Sequence, residues 1–139
     1  MSDPTIIERS VEKAHIWLNE VAAEMGTEDR GEAYRVLRAY LHALRDRLPV
    51  DEAAQLAAQL PELIRGIYYE GWNPSATPVA YRGFDEFLER LASEAKLDGE
   101  TEASFAASAA ATVLRRHVSA GEIDDIRAVL PQKLRPILA

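Results

Sequence analysis

Cysteine is absent from the 139 residues. Its absence excludes disulfide frameworks, thiolate zinc sites, iron–sulfur ligation and any cysteine nucleophile. Glycine and proline are scarce, seven of each, and they gather at the ends of segments, which disfavours β-rich classes full of tight turns. Long apolar runs are missing too: none approaches the roughly 20 residues that a membrane-spanning helix needs. The opening Met1-Ser2-Asp3-Pro4 has neither a basic region nor a signal-peptide core, so a cytoplasmic location is expected, with no membrane as partner. Positive charge is in deficit, with 16 lysines and arginines against 23 acidic residues. The resulting net charge of -7 argues against general attraction to nucleic acid, which depends on positive fields.

What remains is a helix-forming composition dominated by alanine, leucine, glutamate and arginine. With 47% apolar and 28% charged residues, the chain falls in the ordinary globular range. Asp3-Pro4 predicts a helix start, with a capping carboxylate and a proline where no N–H is needed. Ile7, Val11, Ala14, Leu18, Val21 and Met25 then repeat at helical spacing, flanked by Trp17 and Ala22, and predict one buried stripe that ends at Gly26. A second helix is expected from Thr27 or Glu28 to Leu48, stopped by Pro49 and burying Ala33, Leu37, Tyr40, Leu41, Leu44 and Leu48. Val50 to Gln59 reads as a short third helix. Leu60-Pro61 interrupts it, because the residue before a proline avoids helical geometry, and a fourth short helix follows to about Tyr69. Gly71 to Gly83 holds two prolines and no helical period, so it reads as the one long connection. Helices return over Phe84 to Lys96, Gly99 to Val118, Glu122 to Val129, and Pro131 to the end. Ser119-Ala-Gly-Glu122 has the spacing of a capping box.

The second set echoes the first at a shift of 70 residues. Leu18 aligns with Leu88, Ala22 with Ala92, Glu24 with Glu94, Glu32-Ala33 with Glu102-Ala103, Leu44-Arg45 with Leu114-Arg115, Glu52 with Glu122, Leu60-Pro61 with Leu130-Pro131, and Arg65 with Arg135. The expected fold is therefore all-α: a tandem duplication of a unit of about four helices, with a first unit over 1–70, a connection over 71–83 and a second unit over 84–139. A helix with one apolar stripe cannot hide it alone, and units of this size bury little surface singly, so the two bundles are expected to pack as one domain. The copies are not interchangeable. Where the first has Leu37, Tyr40 and Leu41, the second has Ala107, Ala110 and Ala111, which let helices approach closely.

Phe84-Asp-Glu-Phe-Leu-Glu-Arg-Leu-Ala, the closing Leu60-Pro61-Glu-Leu and Leu130-Pro131-Gln-Lys-Leu, and the intervening Tyr69-Glu-Gly-Trp72 together give the chain its distinctive signature. From about His15 onward it resembles the prokaryotic family catalogued as domain of unknown function 2267. The resemblance implies an all-helical fold and a bacterial or archaeal origin, and it attaches no activity, substrate or catalytic residue.

Residues with chemistry to offer have structural readings beside the functional ones. Glu12 and His15 have the Glu-x-x-His spacing of helical di-iron sites, but such sites need two of these motifs, and the position aligned with His15 is Asp85. No metal and no cofactor are assigned. His117 is placed to complement the negative end of its helix. Arg35, Arg38, His42 and Arg45 form a basic stripe almost opposite the apolar face, where solvated charge is expected. Paired acids such as Glu20 and Glu24, Asp51 and Glu52, or Asp124 and Asp125 open helices or lie on polar faces. With no phosphate loop, nucleophile elbow or His-Glu-x-x-His in the sequence, no catalytic residue is assigned.

The connection carries more information. Tyr68, Tyr69, Trp72 and Tyr81 gather four of the ten aromatic residues there, and such side chains either anchor a loop on the core or offer a surface to a partner. Ile16 points nearly opposite the stripe of its helix, as a harmless exposed side chain or as part of a contact with another chain. The expected function is thus a non-catalytic cytoplasmic helical protein-interaction module, whose partner is another protein or a second copy of the chain, with Tyr69, Trp72, Tyr81 and Ile16 as its partner-binding residues. The alternative is a small-ligand or cofactor-binding protein with a site between the two units.

Overall fold

The computed structural model describes residues 3–139, and their side chains from Thr5 onward. The cap expected of the Asp3 carboxylate lies outside the described side chains. Seven α-helices form among the described residues: α1 (Asp3–Met25), α2 (Arg30–Arg47), α3 (Val50–Ala57), α4 (Glu62–Tyr69), α5 (Phe84–Ala95), α6 (Glu100–His117) and α7 (Ala120–Val129). Single 3-10 segments follow α4, at Pro74–Ala76, and α7, at Gln132–Leu138. No strand is present among them, and no helix is long and apolar enough to cross a membrane.

Local chemistry sets the ends. Gly26 takes φ 71°, and the Gly26 and Thr27 amides donate back to the carbonyls of Ala23 and Ala22 at 3.1 and 3.0 Å, closing α1 with a left-handed turn. The cap of α2 is Asp29, just past the Thr27 or Glu28 expected: its Oδ1 accepts from the Gly31 and Glu32 amides at 2.8 and 3.2 Å. Thr27 instead accepts the Asp29 amide at 3.1 Å, ordering the turn that delivers the cap.

The four long helices form a ring in which α1 packs on α2, α2 on α5, α5 on α6 and α6 on α1. Two of those contacts join the first half of the chain to the second. Across the diagonal, α2 also touches α6, where Ala103, Ala106, Ala107, Ala110 and Ala111 are all buried; side chains this small let the backbones close in. The short helices cover the ring, and α3 meets α7 across the join.

Boundaries recur at the spacing seen in the sequence: α2 and α6 start at 30 and 100, α3 and α7 at 50 and 120, α4 and the last 3-10 segment at 62 and 132. So do contacts. Arg45 Nη1 donates to the Tyr68 carbonyl at 2.7 Å, and Arg115 Nη1 donates to the Leu138 carbonyl at 2.7 Å.

Two expectations need correction. The α1 stripe is covered only from Ala14 onward, fully at Ala14 and Val21 and partly at Leu18 and Met25, because α6 ends at His117 against Trp17; Ile7 and Val11 are 66% and 39% exposed. The basic stripe of α2 is not a solvated face either. His42 and Arg45 are buried at 6% and 3% exposure, since α5 and the end of α4 cover the side of α2 that a lone amphipathic helix would leave wet. Arg35 alone of the four is exposed.

Candidate functional site

The four residues expected to meet a partner do not converge. Tyr81 is 5% exposed, and its hydroxyl donates to the Ala43 carbonyl at 2.8 Å while Arg47 holds the Tyr81 carbonyl at 2.7 Å. With the Val79 amide bonded to the Asp46 carbonyl at 2.7 Å, the connection is fastened along α2. Tyr69 and Trp72 are half-buried and stack at 5.2 Å between ring centroids. The Trp72 Nε1 is shut off from solvent with no hydrogen-bond partner. Ile16 is 47% exposed and lines a cleft of about 510 Å³ with Lys13, Trp17, Leu60, Pro61, Arg65 and His117. Residues from both halves meet there, but Tyr69, Trp72 and Tyr81 do not reach it.

One uncovered apolar feature is the first part of α1. Ile6, Ile7 and Val11 are 53%, 66% and 39% exposed. At 100° per residue, Ile7 and Val11 point the same way as Ala14, Leu18 and Val21. Among the described residues, the stripe that seats α1 on the ring therefore continues beyond it uncovered at Ile7 and Val11.

Two charged networks join the halves of the chain. Glu20 on α1 accepts from Arg116 Nη1 at 2.6 Å and lies 3.1 Å from His117 Nε2, and Arg116 also reaches Glu24 at 3.1 Å. Burial pulls the Glu20 carboxyl up, but Arg116 and His117 outweigh it and hold it below the usual carboxylate range. The His117 ring stacks on Trp17 at 4.8 Å. Between α2 and α5, His42 faces an acceptor on each side, the Glu94 carboxylate 2.8 Å from Nδ1 and the Ile67 carbonyl 2.7 Å from Nε2. Arg38 holds Glu94 at 2.8 Å and also pairs with Glu70; its hydrogen bond keeps the Glu70 carboxyl below its ordinary value. Both networks are internally satisfied, and their chemistry is that of fasteners.

The α3–α7 contact is different. Glu52 and Glu122 occupy the same place in the first turns of their helices, and each has an Oε2 that is shut off from solvent and lacks a hydrogen-bond partner. Glu122 is 6% exposed. One carboxylate oxygen from each of Glu52, Glu122 and Asp125 can be chosen so that all three lie within 4.8 Å of one another. Burial, then the neighbouring Glu52 and Asp125 carboxyls, push the Glu122 carboxyl up to about 8. The expected capping box is only half formed. Ser119 Oγ does accept the Glu122 amide at 3.2 Å, but the Ser119 amide donates to Gln59 Oε1 at 2.8 Å, so Glu122 is left to face inward. Sequence reasoning paired acids by adjacency, Asp51 with Glu52 and Asp124 with Asp125. The true pair, Glu52 with Glu122, was visible only as equivalent positions in the 70-residue echo.

His15 is exposed with Glu12 beside it, and no other acid or histidine among the described residues joins them in a candidate cluster. A family described as "Uncharacterized conserved protein (DUF2267)" matches residues 14–137. No curated protein matches the chain.

Proposed function

The chain belongs to the family of the uncharacterized conserved protein DUF2267, and from that premise and its own geometry we propose that it is a non-catalytic helical module that associates with a second copy of itself through the projecting face of α1. The observation that carries this reading is the stripe itself, buried at Ala14, Trp17 and Val21 but exposed at Ile7 and Val11. The family match begins at residue 14, the point from which the stripe is covered, so the projecting turns lie outside the matched region.

A face of this kind is self-complementary. Two α1 segments laid antiparallel place Ile7 of each against Val11 of the other, which satisfies a two-fold interface with one patch. Three apolar side chains per copy fall short of the roughly 800 Å² per partner of a stable interface. The dimer is accordingly expected to be weak and concentration-dependent. Light scattering or sedimentation between about 10 µM and about 1 mM should show the mass rising, and Ile7→Asp should hold it at one chain while leaving the melting temperature unchanged. A mass that stays at one chain throughout would sink the reading.

A second reading has one specific observation behind it. The cleft beside Ile16 lies within the size range of small-molecule sites, and it sets Lys13 beside Ile16, Leu60 and Pro61, with Glu62 also on its wall and with Arg65 and His117 already held by the Ala57 and Leu60 carbonyls and by Glu20. That arrangement suits a small ligand with an apolar body and one polar group for the Lys13 ammonium. Native mass spectrometry of freshly purified protein separates the readings: a reproducible added mass that Ile16→Asp removes favours a carrier, whereas a bare chain counts against it.

A further inference from the structure

We propose that Glu52, Glu122 and Asp125 together hold one divalent cation of the calcium or manganese kind, and that the ion ties α3 to α7. Acidic residues in the first turn of a helix are commonplace, because they complement its positive end. That role needs neither burial nor a facing partner. Here Glu122 is 6% exposed, and its Oε2 and that of Glu52 are both withdrawn from water without a donor. A buried carboxylate oxygen with no donor is strongly destabilising unless a proton or a cation meets it.

The donor set decides what kind of ion fits. Three carboxylates and no nitrogen or sulfur ligand make a hard-oxygen site, which suits magnesium, calcium or manganese. Ligand oxygens that lie within 4.8 Å of one another can share one ion at calcium-like distances of about 2.3–2.6 Å. Asp125 is exposed, which opens the site to solvent for ion entry and leaves room for water ligands. Without the ion, a proton does the same work less completely: the Glu122 carboxyl is pushed up to about 8 by burial and by Glu52. Metal must displace that proton, so binding should tighten as pH rises towards 8. The groups facing Glu122 are Glu52 from α3, Asp125 from its own helix, and, more weakly, Tyr68 from α4. The proposal is independent of self-association, since the three ligands belong to one chain.

The test is direct titration of the purified full chain with manganese chloride, read by the loss of the free-ion paramagnetic signal, alongside thermal melts in calcium, manganese or magnesium. One manganese per chain is expected. At an ion concentration about a hundredfold above the dissociation constant, the melting temperature should rise by about 5–10 °C. Glu122→Gln should abolish both effects, and Asp125→Asn, an exposed change that leaves the core alone, should weaken binding at least about tenfold. No stoichiometric manganese at about pH 8, or equal binding by wild type and Glu122→Gln, overturns the proposal. Should Glu122→Gln fail to fold, an unchanged affinity in Asp125→Asn overturns it equally.

Discussion

Gln59 grips Ser119 from both sides: its Oε1 accepts the Ser119 amide at 2.8 Å and its Nε2 donates to the Ser119 hydroxyl at 3.0 Å. The reciprocal half of the α7 cap is thereby supplied from the other half of the chain. Gln59→Ala should cost about 0.5–1 kcal/mol in urea unfolding, because it leaves the Ser119 amide to water alone. Ser119→Ala should cost about as much by removing the acceptor of the Glu122 amide, and the double variant should cost less than the sum, since both remove the bond from Gln59 Nε2 to Ser119 Oγ. Fully additive losses would show that the two residues act separately.

Stability should fall between about pH 4.5 and about pH 8 in metal-free buffer. The Glu122 carboxyl, raised to about 8 in the folded chain from its ordinary 4.5 by burial and by Glu52, binds more proton folded than unfolded across that window. Its contribution is therefore fully present below the unfolded value and is lost as pH rises through the folded one. Urea midpoints at three pH values spanning the window should decline for wild type and decline less for Glu122→Gln. Parallel slopes would show that another group is responsible.

The helix ends are legible in the sequence because Gly26, Pro49 and Pro61 act on the residues beside them. So is the all-helical class, because a stripe such as Ala14, Leu18 and Val21 has only one period. The reach of a stripe is not legible: periodicity says which face of α1 is apolar, not where its neighbours stop, and so Ile7 reads the same as Val21. Nor does periodicity reveal a helix covered on several sides. His42 looks solvated from its own helix and is buried by α5. The facing of Glu52 and Glu122 depends on how α3 and α7 are brought together, which no local signal encodes.

Trp72 should tolerate loss of its indole nitrogen but not of its ring. Its Nε1 has no partner to lose, and a phenylalanine would still lie against Tyr69. Trp72→Phe should change stability by less than about 0.5 kcal/mol, while Trp72→Ala should cost about 2 kcal/mol. Thermal or urea unfolding of the two variants checks the ordering, and equal losses would contradict it.

Ala110 is fully buried in α6, the helix that approaches α2 across the ring. Ala110→Leu should overfill that contact and cost about 1–3 kcal/mol. The same change at the exposed Ala128 should stay within about 0.5 kcal/mol. Comparable losses at the two positions would show that the diagonal has room to spare.

The alternation of the ring, with α2 against α5 and α6 against α1, means that neither half owns the surfaces it needs in order to be finished. A chain severed within the Pro74–Ala76 turn would yield two incomplete pieces whose best available partners are each other.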